Sequence, residues 1–306
     1  MPKEWMKDSA TQALLVSDVG ATLGEGPMWN AGTEELSFVD ILEGKLFVCD
    51  AAGGILSALQ IAKPIGAALP TEGGRWLIVT DTEFGHLQRD GVIAPILHLN
   101  EGPEGIRFND AKCDPWGQAL AGTMRYDEKA GSATLFRLVR RPAGSASDRW
   151  VAHALLEHVG LSNGMGWSPD GRYFYYIDSL TQAVARYRYD PCGPLLDCVP
   201  DFITIDRGDG IPDGMCVDAE GGLWVALYGG GAIHHYDASG KQDLSVDVPV
   251  PNPTSVALGA PDGNRLFITT ARGDEQVPEH GAGGLWAVDV ECPGPPATLW
   301  RGEART

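Results

Sequence analysis

A turn ending in glycine, followed at once by a strand rich in aromatic and β-branched residues, occurs six times along the chain. The copies read NAGTEELSFVDI, TEGGRWLIVTD, DPWGQALAGTM, SPDGRYFYYID, AEGGLWVALY and APDGNRLFITT. Their glycines are Gly32, Gly74, Gly117, Gly171, Gly221 and Gly263, so the unit recurs every 42 to 54 residues. A second strand follows each, as in GKLFVCD, GHLQRD, ATLFRLV, AVARYRYD, GAIHHYD and GGLWAVDV. Several turn-separated strands within roughly 40 to 50 residues make one blade of a β-propeller. One such sheet cannot cover both its faces, so blades pack radially and shield one another. Six copies predict an all-β, six-bladed β-propeller. A β-sandwich with accidental periodicity explains the repeated turn chemistry less well. The stretch QALLVSDV, residues 12–19, is expected to close the ring against the last blade, with ATLW, residues 297–300, a second candidate for an outer strand.

A ring of blades also answers the question of length. The 306 residues are long for one compact core, which rarely grows past about 250 to 300. The expectation is a single domain over residues 1–306, with the propeller running from about residue 12 to the C-terminus. The 41 acidic against 23 basic side chains give a net charge of −18, which repels phosphate backbones and anionic lipid. No apolar stretch has the length of a membrane span, and the opening MPKEWMKDSA has no apolar signal core, so a cytoplasmic location without nucleic-acid or membrane partners is expected. The six cysteines lack CxxC spacing and read as thiols; Cys192 and Cys198 are close enough in sequence to pair in an oxidising compartment.

The turn glycines also fix a register. Eight residues before them stand Gly66, Asn109, Asn163, Asp213 and Ser255, and seven residues before Gly32 stands Glu25. Equal offsets in repeated blades mean equivalent places around the axis. Glu25, Asn109, Asn163 and Asp213 are therefore expected to converge on one mouth of the central channel. Asp213 alone, in IPDGM, reads as turn chemistry. In register with a second carboxylate and two amides it reads as part of an oxygen-ligand cage. Carboxylates facing each other in a narrow channel repel unless a cation separates them. Oxygen donors without His or Cys suit a hard divalent ion such as Ca²⁺, Mg²⁺ or Mn²⁺.

The segments LGEGPMW, IRFNDAKCDPWGQALAGTM, LSNGMGWSPDGRYFYYIDS and IPDGMCVDAEGGLWVALYGGG occur in the order, and with the content, of the SMP-30/gluconolactonase/regucalcin-like family, which the chain resembles over residues 24–272. The resemblance implies a six-bladed propeller with one divalent ion in its channel and a hydrolase of sugar-derived lactones. It assigns Glu25, Asn163 and Asp213 as metal ligands and Arg107 and Asn109 as the substrate-facing pair. Ile106 departs from the asparagine that family members often carry there, and Asp127 is the nearest match to an acidic substrate contact after AGTM. The ion implied is Ca²⁺ first, with Mn²⁺, Mg²⁺, Fe²⁺ and Zn²⁺ as alternatives. The partner implied is a small sugar lactone; oligomeric state is left open.

In the chemistry expected, Asp213 is the catalytic base and Arg107 a fork of donors for substrate oxygens. Asn109 is expected to donate to the water, the oxyanion or a ring hydroxyl. Two other enzyme or binding readings compete: an esterase or organophosphate hydrolase on the same propeller, and a calcium-binding regulatory protein without turnover. An ion-binding role alone has no need of Arg107. The seven histidines show no ligand spacing, Ser162 and Ser168 lack a nucleophile elbow, YGGGA reads as a hairpin loop, and Trp29, Trp167 and Trp224 read as inter-blade core.

Overall fold

The computed structural model describes residues 11–61, 64–72, 74–99, 105–141, 150–273 and 279–302. They form six antiparallel sheets, each with four strands in a simple up-and-down order, and one sheet carries a fifth strand. This is the predicted six-bladed β-propeller. The inner strands are Gly24–Asn30, Ile65–Pro70, Ile106–Cys113, Ser162–Trp167, Ile211–Val217 and Pro253–Gly259. They are buried almost throughout, whereas an outer strand such as Ile55–Gln60 is mostly exposed. Among the described residues the only helical elements are two single 3₁₀ turns, Ser179–Thr181 and Arg207–Asp209, and no helix is long and apolar enough to cross a membrane.

The ring closes with strands from both ends of the chain. Leu14–Ser17 pairs antiparallel with Leu285–Asp289 as the outer strand of the sixth blade, as expected for residues 12–19. Thr11 and Gln12 add a short parallel strand to the outer edge of blade five. Residues 297–300 do not supply an outer strand. Trp300 instead makes one bridge to Thr71, and its ring lies against His86 and Trp150 at centroid distances of 5.0 and 5.5 Å. Aromatic contacts stitch neighbouring blades together, including Phe84 against Phe108 at 4.8 Å and Trp29 against Phe267 at 6.1 Å. Truncating such a fully buried phenylalanine to alanine costs about 3 to 5 kcal/mol.

The repeated turns owe their shape to local chemistry. Gly74, Gly117, Gly171, Gly221 and Gly263 take φ between +68° and +87°, where a Cβ is strained. The first blade differs: Gly32 is not left-handed and Glu34 takes that place at φ +55°, which is why Glu25 falls at another offset. In two blades a buried aspartate ties the turn. Asp114 Oδ1 accepts the Trp116 and Gln118 N–H groups at 2.9 and 2.8 Å, and Asp218 Oδ1 accepts those of Glu220 and Gly222 at 2.9 and 2.8 Å.

His235 links Asp218 to the next strand. Its Nε2 lies 3.0 Å from Asp218 Oδ2 and its Nδ1 2.5 Å from Asp243 Oδ1, with the ring 4.4 Å from Trp224. Burial opposes the charge on His235, but the two carboxylates outweigh it and hold its pKa above the ordinary value. Burial likewise raises Asp218, and the hydrogen bonds from His235 and the turn overcome it and leave its pKa low. A raised histidine stabilises the fold fully below its unfolded pKa of about 6.5, and that stabilisation is lost as pH rises through the folded value. The depressed aspartate contributes above its unfolded pKa of about 3.9 and loses this as pH falls through its folded value. His235→Gln is therefore expected to cost about 1 kcal/mol near pH 5 to 6 and less above pH 7. Melting curves of both proteins across that range check this; a pH-independent difference contradicts it.

All six cysteines are free thiols; Cys192 and Cys198 are exposed and unpaired with each other.

Candidate functional site

Every inner strand breaks its pairing register near its N-terminal end. The breaks fall between Glu25 and Met28, Ile65 and Ala67, Phe108 and Asp110, Ser162 and Met165, Pro212 and Met215, and Pro253 and Ser255. Each is a β-bulge, which puts one extra residue into the strand and re-aims side chains. The residues in register from the turns sit at these bulges: Gly66, Asn109, Asn163 and Asp213 lie within them and Glu25 borders one. In blade six the extra residue is Thr254, and Ser255, the residue at the predicted offset, pairs normally with Thr269. Glycines allow the strands to approach here. A Cβ on Gly164 would lie 2.7 Å from the Asp213 carbonyl oxygen, and one on Gly66 3.0 Å from that of Phe108.

Arg107, Asn109 and Asn163 join through a chain of hydrogen bonds that crosses three blades and ends on the carbonyl before Asp213. Arg107 Nη1 donates to its neighbour's carbonyl, Phe108 O, at 3.0 Å and to Asn109 Oδ1 at 2.7 Å. Asn109 Nδ2 donates to Ser162 O at 3.0 Å and to Asn163 Oδ1 at 2.9 Å. Asn163 Nδ2 donates to Ser179 Oγ at 2.8 Å, and Ser179 Oγ donates to Pro212 O at 2.7 Å, the carbonyl just before Asp213. Both N–H donors of Asn109 are thus engaged inside the protein. The expected donation from Asn109 to water, oxyanion or ring hydroxyl has no free hydrogen here. What it offers is an amide oxygen and the orientation of its two neighbours.

Opposite this chain stand the carboxylates. Glu25 stands just before the bulge of its strand, where Gly26 takes φ +56° and donates its N–H to Glu25 Oε2 at 2.9 Å. Glu25 is 6% exposed and Asp213 8%. No donor among the described residues bonds the Asp213 carboxylate. Burial, then the charge of Asp110, pushes Glu25 up to about 8. Burial, then the charges of Glu25 and Asp110, holds Asp213 far above the carboxylate range, with Arg107 opposing. Burial also works against the charge on Arg107, while Tyr126, Glu25 and Asp213 support it. Its guanidinium lies 5.7 Å from the Tyr126 ring centroid.

Three participants escaped the sequence reading. Asp110 is 8% exposed and its charge reaches both Glu25 and Asp213. Period-two alternation sends it to the face opposite Asn109, but the bulge between Phe108 and Asp110 breaks that alternation. Lys112, two residues further on, reaches across to donate to Met215 O at 2.7 Å. Ser179 lies in a linker with no repeat offset. Other residues weighed from the sequence have partners of their own. Asp127 is held by Arg125 through bonds of 2.7 and 2.9 Å and is 55% exposed at its side chain. Ser162 is buried and accepts the Tyr176 hydroxyl at 2.7 Å. Ser168 donates to Asp170 Oδ1 at 2.7 Å.

Two carboxylates and an amide oxygen, buried together and with no cation among the described residues bonded to either acid, form a donor set that a hard divalent ion fits. The chemistry suits oxygen-seeking ions and offers no soft ligand.

The same residues fall within a segment matched by a family model. Residues 23–272 match the SMP-30/gluconolactonase/LRE-like region. A Bacillus subtilis (strain 168) protein provisionally named sugar lactone lactonase YvrE is 35% identical over 289 residues, covering 92% of this chain and 96% of its own. Regucalcin of Gallus gallus is 33% identical over 254 residues, covering 81% of this chain and 83% of its own. Among solved structures, that of a luciferin-regenerating enzyme superposes with a TM-score of 0.81 at 27% identity, covering 94% of this chain and 99% of its own. The chain belongs to the SMP-30/gluconolactonase/LRE-like family.

Proposed function

We propose that the chain is a hydrolase that opens a sugar-derived lactone to its hydroxy acid, with one divalent ion held by Glu25, Asn163 and Asp213. One observation carries the reading: Asp213 is a buried carboxylate with no donor among the described residues, beside a second buried carboxylate and within the field of a buried arginine. When bound, a divalent ion supplies Lewis-acid polarisation of the ester carbonyl and charge to meet the developing oxyanion. The protein's own groups do the rest. A water oxygen attacks the lactone carbonyl carbon, and Asp213, as catalytic base, takes its proton. The ring C–O bond then breaks, and the proton passes to the leaving alkoxide to give the hydroxyl of the open acid. Arg107 orients substrate oxygens with the planar fork of its guanidinium. Asn109 keeps that fork and Asn163 in place, and its Oδ1 accepts a substrate hydroxyl. Names carried by relatives, sugar lactone lactonase and regucalcin, support a lactone substrate and Ca²⁺ as the first ion to test.

A purely ion-binding role leaves Arg107 unexplained, since it opposes cation binding while costing burial. Arg107→Lys separates the two readings because it keeps the charge and loses the fork. The expected result is a fall of about 10² in kcat/KM for the lactone, with ion affinity, read from the ion-induced rise in Tm, within threefold of wild type. Loss of ion affinity with no change in kcat/KM at saturating ion contradicts the assignment. Rates on five- and six-membered sugar lactones against aryl esters and phosphotriesters distinguish the substrate class.

A further inference from the structure

The channel has a second chamber. Glu25, Asn109, Asn163 and Asp213 sit near the starts of their inner strands. Two to four residues further along those strands, Met28, Trp29, Met165, Trp167, Val217 and, in blade six, Leu258 line a cavity of about 260 Å³. A strand advances about 3.3 Å per residue, so this chamber is centred on the order of 10 Å beyond the carboxylates, towards the opposite mouth. Lys112 divides the two. It leaves the inner strand of blade three, and its Nζ bonds the Met215 carbonyl of blade five at 2.7 Å. Blade four stands between those blades, so the side chain crosses the channel as a bar.

The chamber's composition is unlike the mouth described above. Its walls are indole, thioether, aliphatic and proline surface, and Lys112 is the one charged residue among the described lining. The Met215 carbonyl takes one of the three ammonium donors. Apolar cavities of this kind take apolar molecules, and one of about 150 Å³ holds benzene. A cavity of about 260 Å³ has room for fused rings. We propose that the chamber is a second ligand site, for a small planar apolar molecule bearing one anionic group. The rings pack on the methionine and tryptophan walls and the anion meets the Lys112 ammonium. Lys112 borders both chambers, but none of the residues given a step in lactone hydrolysis lines this one, so the dye test reads the chamber independently of turnover.

The test is a titration of the calcium-supplemented full-length protein with 8-anilino-1-naphthalenesulfonate, read by energy transfer from tryptophan, since Trp29 and Trp167 line the chamber. The neutral dye N-phenyl-1-naphthylamine serves as the second arm. One saturable site per chain is expected for each. Ala297→Trp, which fills the rim of the chamber, should weaken both dyes at least tenfold. Lys112→Met should weaken the sulfonate about tenfold and spare the neutral dye, and Lys112→Arg should restore the sulfonate. Unchanged melting temperatures in the Ala297 variant separate a filled site from a damaged fold. Non-saturable binding, binding indifferent to Ala297→Trp, or an unaltered ratio of the two dyes in Lys112→Met overturns the proposal.

Discussion

Asparagine in place of Asp213 is expected to lower kcat/KM for a sugar lactone by about 10³ or more while the metal-free protein melts at the same temperature or higher. The two halves of that result have one cause. Asp213 is buried, has no hydrogen-bond donor among the described residues, and feels the charges of Glu25 and Asp110. Such a carboxylate is a burden to the fold, and a neutral amide of the same shape removes the burden. The same change removes the base and one anionic ligand, so turnover and ion affinity both fall. Changes at the outer-shell partners of a metal ligand already cost about 10- to 100-fold in affinity, and removing a ligand's own charge is expected to cost at least that. Differential scanning fluorimetry with and without Ca²⁺, beside initial lactone rates, reads all three quantities. Activity within tenfold of wild type removes Asp213 from the chemistry. A sharp drop in metal-free Tm says instead that its carboxylate is a structural acceptor.

The second large effect is a loss of stability with rising pH that arises at the carboxylates of the channel mouth when the ion is absent. Glu25 is pushed up to about 8, first by burial and then by Asp110, and Asp213 is raised in the same direction. For a carboxylate whose folded pKa exceeds its unfolded one, the folded state binds the extra proton. The stabilisation is complete below the unfolded value, near 4.3 for glutamate, and is lost as pH climbs through the folded value. Metal-free protein is therefore expected to lose stability between about pH 4.5 and 8, by an amount on the order of a few kcal/mol. A divalent ion replaces the protons as the counter-charge. Its stabilisation should grow with pH over the same interval, and by mass action it reaches about 2.7 kcal/mol at 100 times the dissociation constant. Urea midpoints at several pH values, with chelator and with Ca²⁺, test this. Parallel curves contradict a shared site for proton and ion. Glu25→Gln should flatten the chelator curve, since the group that titrates near 8 is gone.

Much of this was legible because a propeller repeats itself. Five of the six turn glycines mark the left-handed position of their turns, and an offset counted from them found Asn109, Asn163 and Asp213. The first blade shows how narrow the margin was: its left-handed residue is Glu34, so counting from Gly32 reached Glu25 only by a different step. The same count named Ser255 in blade six, where the bulge holds Thr254. A bulge is decided by how two strands meet, and no single strand encodes its position to one residue. Asp110 was hidden for that reason. Lys112 and Ser179 were hidden for another, since their partners, Met215 O and Pro212 O, are backbone atoms of a different blade. Strand-forming residues at 297–300 gave no hint that Trp300 would lodge beside His86 and Trp150 rather than pair at an edge.

Proton release from sugar lactones, measured on chelator-stripped protein and again after adding back Ca²⁺, Mg²⁺, Mn²⁺, Fe²⁺ or Zn²⁺ singly, tests the central claim most directly. The expected result is turnover of one or a few lactones at rates well above spontaneous opening, absent after stripping, restored by at least one ion, and abolished in Asp213→Asn. Rates no faster than spontaneous opening in protein shown to bind the ion would contradict it.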